Sequence, residues 1–347
     1  MARTRLLLAF GGASSEHEVS LRSATSVREA IDTTRFETVL LGIRRDGTFV
    51  TGASDSELAD IISDGTLVPD VRALGGDLVF PALHGPNGED GTFQGFLEIL
   101  GLPYVGSGVL ASALCMDKVA QKQLVKTAAP EVPLVPWVDM HRDRIDDPQI
   151  HARIADSLGF PCFVKPVNMG SSVGVVKVSR REALPEALRA AARFDTRIVV
   201  ERAVDAREIE IAVLGNGDEN TIASPPGEII LPPGVWYDYD TKYVNDVATL
   251  RIPAELPERT ATEIATLAKT AFSVTGCKGL ARIDFLLDKT TGTPYLNELN
   301  TMPGFTSISM YPKLMAAAGV PYPALITQLC ELGLAHHRER RSLANDR

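Results

Sequence analysis

The sequence predicts an α/β protein that is divided into two or three subdomains. Up to about residue 106, apolar runs typical of buried strands alternate with helical segments, which is the pattern of a doubly wound α/β domain. Further along, pairs of strand-like segments are joined by short turns, which predicts hairpins. The chain has 347 residues, which is long for a single core.

Composition and charge argue against several classes of function. Hydrophobic residues make up 45% and charged residues 23% of the chain, and the formal net charge is −9. An acidic balance disfavours non-specific binding to nucleic acid or to an anionic membrane. No apolar run approaches the roughly 20 residues of a membrane span, and the apolar N-terminus is too short for a signal peptide. The four scattered cysteines indicate reduced thiols, so we expect a cytoplasmic protein.

The N-terminal region begins with a strand, a glycine turn and a helix. Leu6–Phe10 predicts a buried parallel strand, and a helix is expected from about Glu18 to Ile31. Ser15 and Glu18 have the spacing of a capping box. This arrangement presents ligands to the carboxyl end of a sheet, with Glu16 at its mouth. Taken alone, Glu16 is better explained as an acidic residue that complements the helix dipole.

Two more strands are predicted in this region, at Phe36–Ile43 and Leu78–Leu83, with irregular surface structure over residues 51–76. The strand at Leu78–Leu83 is followed by His84 and by a glycine-rich loop at 85–91. A histidine in this position could contact a substrate, and a loop histidine bonded to the backbone is nearly as good an interpretation. A helix and a last strand are predicted at Thr92–Leu100 and Pro103–Val105.

The middle of the chain contains a hairpin with a flexible tip. Residues 107–126 are expected to be helical, with Lys118 near an apolar face. Lys165 ends one strand of the hairpin, and the tip includes Gly170 and Ser171. Free backbone N–H groups, hydroxyls and a lysine suit phosphate oxygens, although an ordinary surface turn would have the same composition. The other elements predicted here are an extended segment 132–138, helices 148–158 and 181–193, and strands 161–165, 175–178 and 197–201.

A strand at Arg207–Leu214 carries two alternating acidic residues, Glu208 and Glu210. Such residues can accept hydrogen bonds from adenine or ribose, or they can form an ordinary charged strand face. Residues 227–247 contain Pro, Gly and aromatic residues without a regular period, which is typical of a lid or binding loop. Helices are predicted at 257–275, 310–318 and 321–335, followed by a charged tail.

The most informative segment is a predicted hairpin in residues 282–300. If its turn is symmetric about Thr291, Asp284 lies opposite Glu298 and Arg282 lies opposite Asn300. Opposed residues on one face have Cβ atoms about 4.5–5.5 Å apart. Two carboxylates at that distance repel each other unless a cation or a proton joins them.

This hairpin suggests a magnesium–nucleotide site. Carboxylate and amide oxygens, together with phosphate oxygens, are the usual ligands of Mg²⁺. A solvated hairpin face with one ion pair is the alternative. Gly304, in the tight turn that follows, would let backbone amides approach a ligand and so favours the nucleotide site. The chain has no G-x-x-x-x-G-K-[ST] loop, so a nucleotide would be held in another way.

Seven segments in order resemble the D-alanine–D-alanine ligase family of the ATP-grasp superfamily. They span most of the chain and are Gly11-Gly-Ala-Ser-Ser-Glu-His-Glu-Val-Ser20, Ala82-Leu-His-Gly-Pro-Asn-Gly-Glu-Asp-Gly91, Met116-Asp-Lys118, Lys165-Pro-Val-Asn-Met-Gly-Ser-Ser-Val-Gly174, Tyr237-Asp-Tyr-Asp-Thr-Lys-Tyr243, Ala281-Arg-Ile-Asp284 and Asn297-Glu-Leu-Asn-Thr-Met-Pro-Gly-Phe-Thr306.

The resemblance implies a three-domain ATP-grasp fold in the α/β (α+β) class. The implied divisions are an N-terminal doubly wound domain at 1–106, a central ATP-grasp subdomain at 107–201, a C-terminal subdomain at 202–337 with the metal hairpin and the lid loop 227–247, and a frayed tail at 338–347. ATP would lie between the central and C-terminal parts. The family is usually homodimeric.

The resemblance also implies an activity, which is the ATP-dependent joining of two D-alanines for peptidoglycan synthesis. ATP would phosphorylate the carboxylate of the first D-alanine, and the amine of the second would attack the acyl phosphate. Two Mg²⁺ ions, for which Mn²⁺ could substitute, would assist.

Each motif residue would then have a role. The metal ligands would be Asp284, Glu298 and Asn300. ATP would be bound by Lys118, Lys165, Glu201, Glu208 and Lys242. The substrates would be bound by Val19, His84, Ser309 and Met310. The catalytic residues would be Glu16, Ser171 and Tyr243, which close the lid over the first substrate, with Arg282 and the Gly304 amide at the oxyanion.

Several alternatives stay open. Tyr243 favours D-alanine over D-lactate as second substrate, because depsipeptide ligases of this superfamily lack this tyrosine. D-serine is harder to exclude, because a small pocket discriminates weakly against one added hydroxyl. Another ATP-grasp carboxylate–amine ligase is a second hypothesis. A non-catalytic nucleotide-binding regulator is a third, from a different class.

Overall fold

The computed structural model describes residues 2–232 and 249–343, which form three β-sheets and the helices packed on them. The strands are β1 Thr4–Gly11, β2 Phe36–Ile43, β3 Phe49–Thr51, β4 Thr66–Leu67, β5 Leu78–Pro81, β6 Trp137–His141, β7 Cys162–Pro166, β8 Val176–Val178, β9 Arg197–Arg202, β10 Ala206–Gly215, β11 Ile222–Ala223, β12 Gly227–Ile230, β13 Thr249–Arg251, β14 Gly279–Asp288 and β15 Pro294–Asn300. The α-helices are α1 His17–Ala30, α2 Leu58–Asp64, α3 Thr92–Leu100, α4 Val109–Met116, α5 Lys118–Ala128, α6 Pro148–Ser157, α7 Leu184–Ala191, α8 Glu258–Val274, α9 Met310–Ala317 and α10 Tyr322–Ser342.

The N-terminal sheet has the order β4-β3-β2-β1-β5, and β1 runs parallel to both β2 and β5. Leu6, Leu8 and Phe10 face one core that includes α1 and the C-terminal helices. Leu7 and Ala9 face the opposite core, which includes α3. Because successive strand residues point to opposite faces, a strand covered by helices on both sides is apolar throughout.

The other two sheets are antiparallel and lie next to each other in sequence. The four-stranded sheet has the order β6-β9-β7-β8 and is covered by α6 and α7. The six-stranded sheet has the order β13-β12-β10-β14-β15, with β11 paired to β10. One face of β10 and β14 packs on α8, through residues such as Ile211 and Ile283. The alternate positions, which include Glu210 and Asp284, therefore point away from that core.

Helices from one part of the sequence complete the core of another. Leu325 and Leu329 of α10 pack in the same core as Leu6 of the N-terminal sheet. Cys115 of α4 and Val125 of α5 share the core of the six-stranded sheet, although they were assigned to the central subdomain. No helix in the described ranges combines the length and the apolar character that a bilayer span requires.

Most predicted elements are confirmed within one or two residues, and the differences have local causes. Residues 51–76 were expected to be irregular but include α2, β4 and a 3₁₀ turn at Val71–Leu74. The predicted strand 103–105 is reduced to one parallel bridge between Tyr104 and Val79. The single predicted helix 107–126 is two helices, because the Asp117 carboxylate accepts from two backbone N–H groups and caps α5.

Two predictions about helix ends were wrong. The capping box at Ser15 and Glu18 is absent, because α1 begins after Glu16, which makes no side-chain cap. The last helix was expected at 321–335, but α10 continues as helix to Ser342. Arg340 in its last turn forms an ion pair with Glu98 of α3, with Nη1 2.7 Å from Oε1, which stabilises this end.

The N-terminal glycine turn provides a test of the fold. Gly11 has a φ of +96°, and a Cβ there would lie 2.2 Å from the carbonyl oxygen of Ile43. Gly47 has a φ of +86° with no atom within 4 Å of its Cβ position. Both alanine variants carry a backbone cost of about 1–3 kcal/mol, and Gly11→Ala adds a clash with backbone that cannot move easily. Gly11→Ala should therefore melt well below Gly47→Ala in thermal denaturation. Equal melting temperatures would contradict this account of the turn.

Candidate active site

Two cavities meet at the β14–β15 hairpin. The larger, of about 760 Å³, lies between the N-terminal sheet and the loop that follows β15. The smaller, of about 530 Å³, lies between the four-stranded and six-stranded sheets. Both cavities are lined by Gly170, Ser171, Glu210 and Glu298. The glycine–serine tip of the β7–β8 hairpin and the acidic face of the large sheet thus separate two connected spaces.

The candidate residues divide between these cavities by their expected roles. The larger cavity is lined by Glu16, Val19, His84, Ser171, Arg282, Glu298, Asn300, Gly304, Ser309 and Met310. The smaller cavity is lined by Lys118, Lys165, Ser171, Glu201, Glu208, Asp284 and Glu298. Residues expected at the amino acids therefore line the larger space, and residues expected at adenine, ribose and phosphates line the smaller one. The expected metal ligands are divided, with Asp284 in the smaller space, Asn300 in the larger and Glu298 in both. Lys242 and Tyr243 lie outside the described residues.

The register of the hairpin is the one predicted from the sequence. Asp284 pairs with Glu298 and Arg282 pairs with Asn300. The register shifts immediately after Asp284, so that Phe285 pairs with Leu296. A bulge of this kind lets a strand bend next to a functional site without disturbing the pairs before it.

Arg282 and Asp284 form a close bidentate ion pair on this face. Arg282 donates from Nε to Oδ1 of Asp284 at 2.8 Å and from Nη2 to Oδ2 at 2.7 Å. Asn300 donates from Nδ2 to Oδ2 of Asp284 at 3.0 Å. The carboxylate that was predicted to bind metal is thus held by two neighbours that were also assigned to the site.

The oxygen atoms of the predicted ligand side chains supply only part of the coordination that a magnesium ion requires. Within the described ranges no group of three or more Asp, Glu, His or Cys side chains has the arrangement of a metal site. Asp284, Glu298 and Asn300 supply two carboxylates and one amide on adjacent strands, and these are hard oxygen donors. They suit Mg²⁺ if phosphate oxygens complete the coordination. A metal at Asp284 would share that carboxylate with Arg282.

A buried lysine that sequence reasoning missed contacts Glu201, which lines the smaller cavity. Lys122 is fully buried, and its Nζ lies 2.9 Å from Oε1 of Glu201. Lys165 donates to the other oxygen, Oε2, at 2.6 Å. Burial of Glu201 would raise its pKa, but the two ammonium groups outweigh it and lower the pKa to about 2. Lys122 follows Lys118 by one helical turn on α5, which was the available signal for it.

Lys118 fastens the glycine–serine tip to the body of the protein. Its Nζ donates to the carbonyl oxygen of Met169 at 2.6 Å. Burial lowers the pKa of Lys118, and Glu298 acts in the opposite direction. For Lys165, burial is likewise the largest effect, but Glu201 raises its pKa above the ordinary value. The smaller cavity therefore presents two lysines whose charges are balanced by the carboxylates that line it.

The larger cavity contains the expected contact between Glu16 and Ser171. Ser171 donates from Oγ to Oε1 of Glu16 at 2.6 Å, which joins the N-terminal turn to the β7–β8 tip. Ser171 and Ser172 have φ values of +50° and +59°, so the tip holds an unusual backbone conformation. Glu89, which sequence reasoning did not assign, also lines this cavity. Burial, together with the charge of Glu16, raises its pKa to about 8.

His84 links two loops of the larger cavity. Its Nδ1 lies 3.0 Å from the carbonyl oxygen of Met302, and its Nε2 lies 2.8 Å from Oγ of Ser23. Because a carbonyl can only accept, Nδ1 carries the proton and Nε2 accepts from the serine. Burial lowers the pKa of His84, which favours this neutral form. The backbone-bonded interpretation therefore describes its contacts, and the ring forms part of the cavity wall.

The end of the larger cavity is formed by the start of α9. Ser309 precedes the helix, and its Oγ accepts from the backbone N–H of Thr306 at 3.1 Å. Met310 is the first residue of α9. Its backbone N–H is one of those at a helix N-terminus without an intrahelical acceptor, and such groups favour a carboxylate.

Two family models match the chain. The family model described as "D-ala D-ala ligase N-terminus" matches residues 5–107, and the one described as "D-ala D-ala ligase C-terminus" matches residues 125–331. The chain belongs to the D-alanine–D-alanine ligase family. This family has the ATP-grasp fold and contains ATP-dependent, ADP-forming ligases, so the predicted fold class and enzyme class are confirmed.

Relatives match this D-alanine–D-alanine ligase family member over nearly its whole length. The D-alanine–D-alanine ligase of Thermoanaerobacter sp. (strain X514) is 44% identical over 98% of this chain and 99% of its own. That of Heliobacterium modesticaldum is 43% identical over 100% and 99%. The solved D-alanine–D-alanine ligase from Coxiella burnetii has a TM-score of 0.86 at 34% identity, covering 99% and 97%. The VanG D-Ala:D-Ser ligase from Enterococcus faecalis has a TM-score of 0.85 at 35% identity, covering 96% and 100%.

The lysine–glutamate cluster gives a testable stability prediction. Glu201→Gln leaves Lys122 buried without its carboxylate, which should destabilise the protein by about 3–5 kcal/mol at pH 7. The pKa of Glu201 in the folded protein is about 2, so its contribution is complete above about pH 4.3 and is lost as the pH falls through about 2. The difference in melting temperature between wild type and Glu201→Gln should therefore be constant from pH 8 to 5 and shrink below about pH 4.

Glu131→Gln is a suitable control, because Glu131 is exposed on the protein surface. It should melt close to wild type across the same pH range. A Glu201→Gln protein that is as stable as wild type at pH 7 would contradict the assignment of this buried cluster.

Proposed function

We propose that the larger cavity binds the two D-alanines and the smaller cavity binds ATP in the ligase reaction of this family. The observation that carries the proposal is the division of the candidate residues between two spaces that meet at Ser171 and Glu298. A carboxylate in one space and a terminal phosphate in the other would come together at that junction. Transfer of a phosphoryl group needs this kind of positioning more than it needs covalent chemistry.

The reaction must first make an unreactive carboxylate electrophilic. The carboxylate of D-alanine is a poor electrophile, because it is anionic and lacks a good leaving group. Phosphorylation by ATP removes both defects and releases ADP. The amine of the second D-alanine then attacks the carbonyl carbon, and phosphate leaves as the peptide bond forms. The dipeptide serves peptidoglycan synthesis, which is the role of this family.

Lysines and carboxylates of the smaller cavity would hold the nucleotide. Lys118 and Lys165 supply positive charge for phosphates, and Glu208 supplies acceptors for ribose hydroxyls. Glu201 would lie near the adenine. Its carboxylate also balances the positive charges of Lys165 and Lys122. Lys242 would reach the phosphates from the segment outside the described residues.

We propose that two Mg²⁺ ions, replaceable by Mn²⁺, bind at Asp284, Glu298 and Asn300 with the nucleotide. When bound, they neutralise the phosphate charge that develops during transfer. The cross-strand pairing of Asp284 with Glu298 supports this assignment, because it presents two carboxylates on one face. Asn300 and Arg282 hold Asp284 in place through the contacts described above.

The larger cavity would order the two amino acids. Glu16 would bind the ammonium group of the first D-alanine, with Val19 and His84 forming the wall beside it. Arg282 and the backbone N–H of Gly304 would stabilise the oxyanion that forms when the second amine attacks. Ser309 and the N–H of Met310 would bind the carboxylate of the second D-alanine. Glu16, Ser171 and Tyr243 would form the hydrogen-bonded set that closes the site.

D-alanine is the proposed second substrate, and D-serine is the alternative with a specific observation behind it. The solved relative from Enterococcus faecalis is a D-Ala:D-Ser ligase and is 35% identical to this chain. Lys242 and Tyr243, which argue against D-lactate, are both in the sequence.

We also propose the division into three domains, at 1–106, 107–201 and 202–337, and a homodimer. The cytoplasm is the proposed location, because it supplies ATP and keeps thiols reduced; the four free cysteines support it.

The metal assignment predicts a loss of turnover in Glu298→Gln. The amide keeps the shape of the side chain but removes a charge that holds the cation, so kcat should fall by at least about a hundredfold. Steady-state phosphate release with D-alanine, ATP and Mg²⁺ measures this. Tyr295→Phe, on the same strand but in neither cavity, should keep wild-type activity. Near-normal turnover in Glu298→Gln would refute the role of this carboxylate.

Substrate choice can be measured directly. With ATP and Mg²⁺, D-alanine should stimulate phosphate release and L-alanine should not. When D-alanine, D-serine and D-lactate compete as second substrate, D-alanyl-D-alanine should be the main product by mass spectrometry. A main product containing serine would support the D-Ser alternative. No phosphate release with any amino acid would favour the non-catalytic nucleotide-binding regulator.

A further inference from the structure

We propose that Glu210 is a positioning residue, which holds the guanidinium of Arg282 at the junction of the two cavities. The proposal rests on the function proposed above and adds a residue to it. Glu210 is 4% exposed, and its Oε2 lies 2.9 Å from Nε of Arg282. The single Nε–H of Arg282 points to Asp284, so at this distance the buried carboxylate of Glu210 holds the guanidinium by charge rather than by a directed hydrogen bond.

The sheet places Glu210 in line with the two candidate metal ligands. Glu210 on β10 pairs with Asp284 on β14, and Asp284 pairs with Glu298 on β15. Directly paired residues of adjacent strands lie on the same face. Three carboxylates therefore form a row across three strands, and Arg282 lies beside two of them.

Arg282 is shared between the first two members of this row, Glu210 and Asp284. Its Nε is 2.9 Å from Glu210 and 2.8 Å from Asp284, while its Nη2 contacts Asp284 at 2.7 Å. A cation on Asp284 would take part of the charge of that carboxylate and weaken its hold on the arginine. Glu210 would keep its full charge and its contact with Nε. Arg282 could then remain in place while its outer nitrogens turn to the reacting groups.

The position of Glu210 argues for a role beyond folding. Glu210 lines both cavities, as do Ser171 and Glu298, which already have assigned roles. A comparable pair exists in the same sheet, where Arg207 donates to both oxygens of Glu228 at 2.7 and 2.8 Å. Glu228 is 7% exposed but lines neither cavity. The sheet therefore contains a glutamate–arginine pair at the junction of the cavities and a partly buried one, Glu228 with Arg207, that lines neither cavity.

Removal of the Glu210 charge should have two consequences. Arg282 would associate with Asp284 alone, which moves the guanidinium away from the oxyanion and so lowers kcat. The same movement would make Asp284 a poorer ligand, because its charge would be taken up by the arginine. The KM for the first D-alanine should change little, because Glu16 and the Val19 and His84 side chains proposed to lie beside it are untouched.

The test compares Glu210→Gln, Glu210→Asp and Glu228→Gln with the wild-type chain. Glu210→Gln should lower kcat by about a hundredfold, while the KM for D-alanine stays near that of wild type. It should also weaken Mn²⁺ binding to the enzyme–ADP complex, measured by electron paramagnetic resonance without turnover. Glu210→Asp, which keeps the charge, should recover part of both properties.

Glu228→Gln separates positioning from structural support. It should lower the melting temperature about as much as Glu210→Gln but leave kcat and Mn²⁺ binding at wild-type values. If Glu210→Gln lowers only the melting temperature, or if Glu228→Gln reduces kcat and Mn²⁺ binding equally, Glu210 is merely structural and the inference fails. If the wild-type chain itself releases no phosphate with D-alanine, the proposed function fails instead.

Discussion

The pairing of β10, β14 and β15 is the constraint on which the site depends. Their register sets Glu210, Asp284 and Glu298 in one row, and the opposite face of the same strands is packed on α8. A shift by one residue would turn the carboxylates into that apolar core. The sheet therefore fixes the charges through the hydrophobic burial of their neighbours, and the bulge after Asp284 leaves that pairing intact.

Concentrated negative charge in a partly buried site needs compensation, and the protein supplies it from several elements. Arg282 lies on the same strand as Asp284, whereas Lys122 comes from α5 and Lys165 from β7. Each cation is held near a carboxylate before any ligand is bound. Under the proposed function, this arrangement would prepare the site for a highly charged nucleotide and so limit the reorganisation that binding requires. Glu89 is the exception, since burial, together with the charge of Glu16, raises its pKa to about 8.

Much of this could be predicted from the chain itself, for physical reasons that can be named. Strand alternation and turn composition are local properties, so the pairs Asp284–Glu298 and Arg282–Asn300 could be placed from their spacing. Lys122 was missed although its spacing from Lys118 was a signal, and Glu210 was singled out only as a nucleotide contact or as part of a charged strand face. Each is ordinary in its own segment, one on a helix and the other on a charged strand, and each acquires a role only through a partner far away in sequence. Helix ends were also missed where a distant group decides them, as Glu98 does for α10.

The sequence by itself determined the class of fold, the order of the elements, the acidic hairpin and the resemblance to one family. Periodicity and motifs depend only on residues that are close together in sequence, so they can be recognised without the structure. Only the tertiary structure decided that Ser171 reaches Glu16 and that His84 bonds Ser23 and Met302. It also decided that two cavities share one junction. These contacts join segments that are separated by tens to hundreds of residues, and their distances follow from how whole sheets and helices pack, which no local pattern encodes.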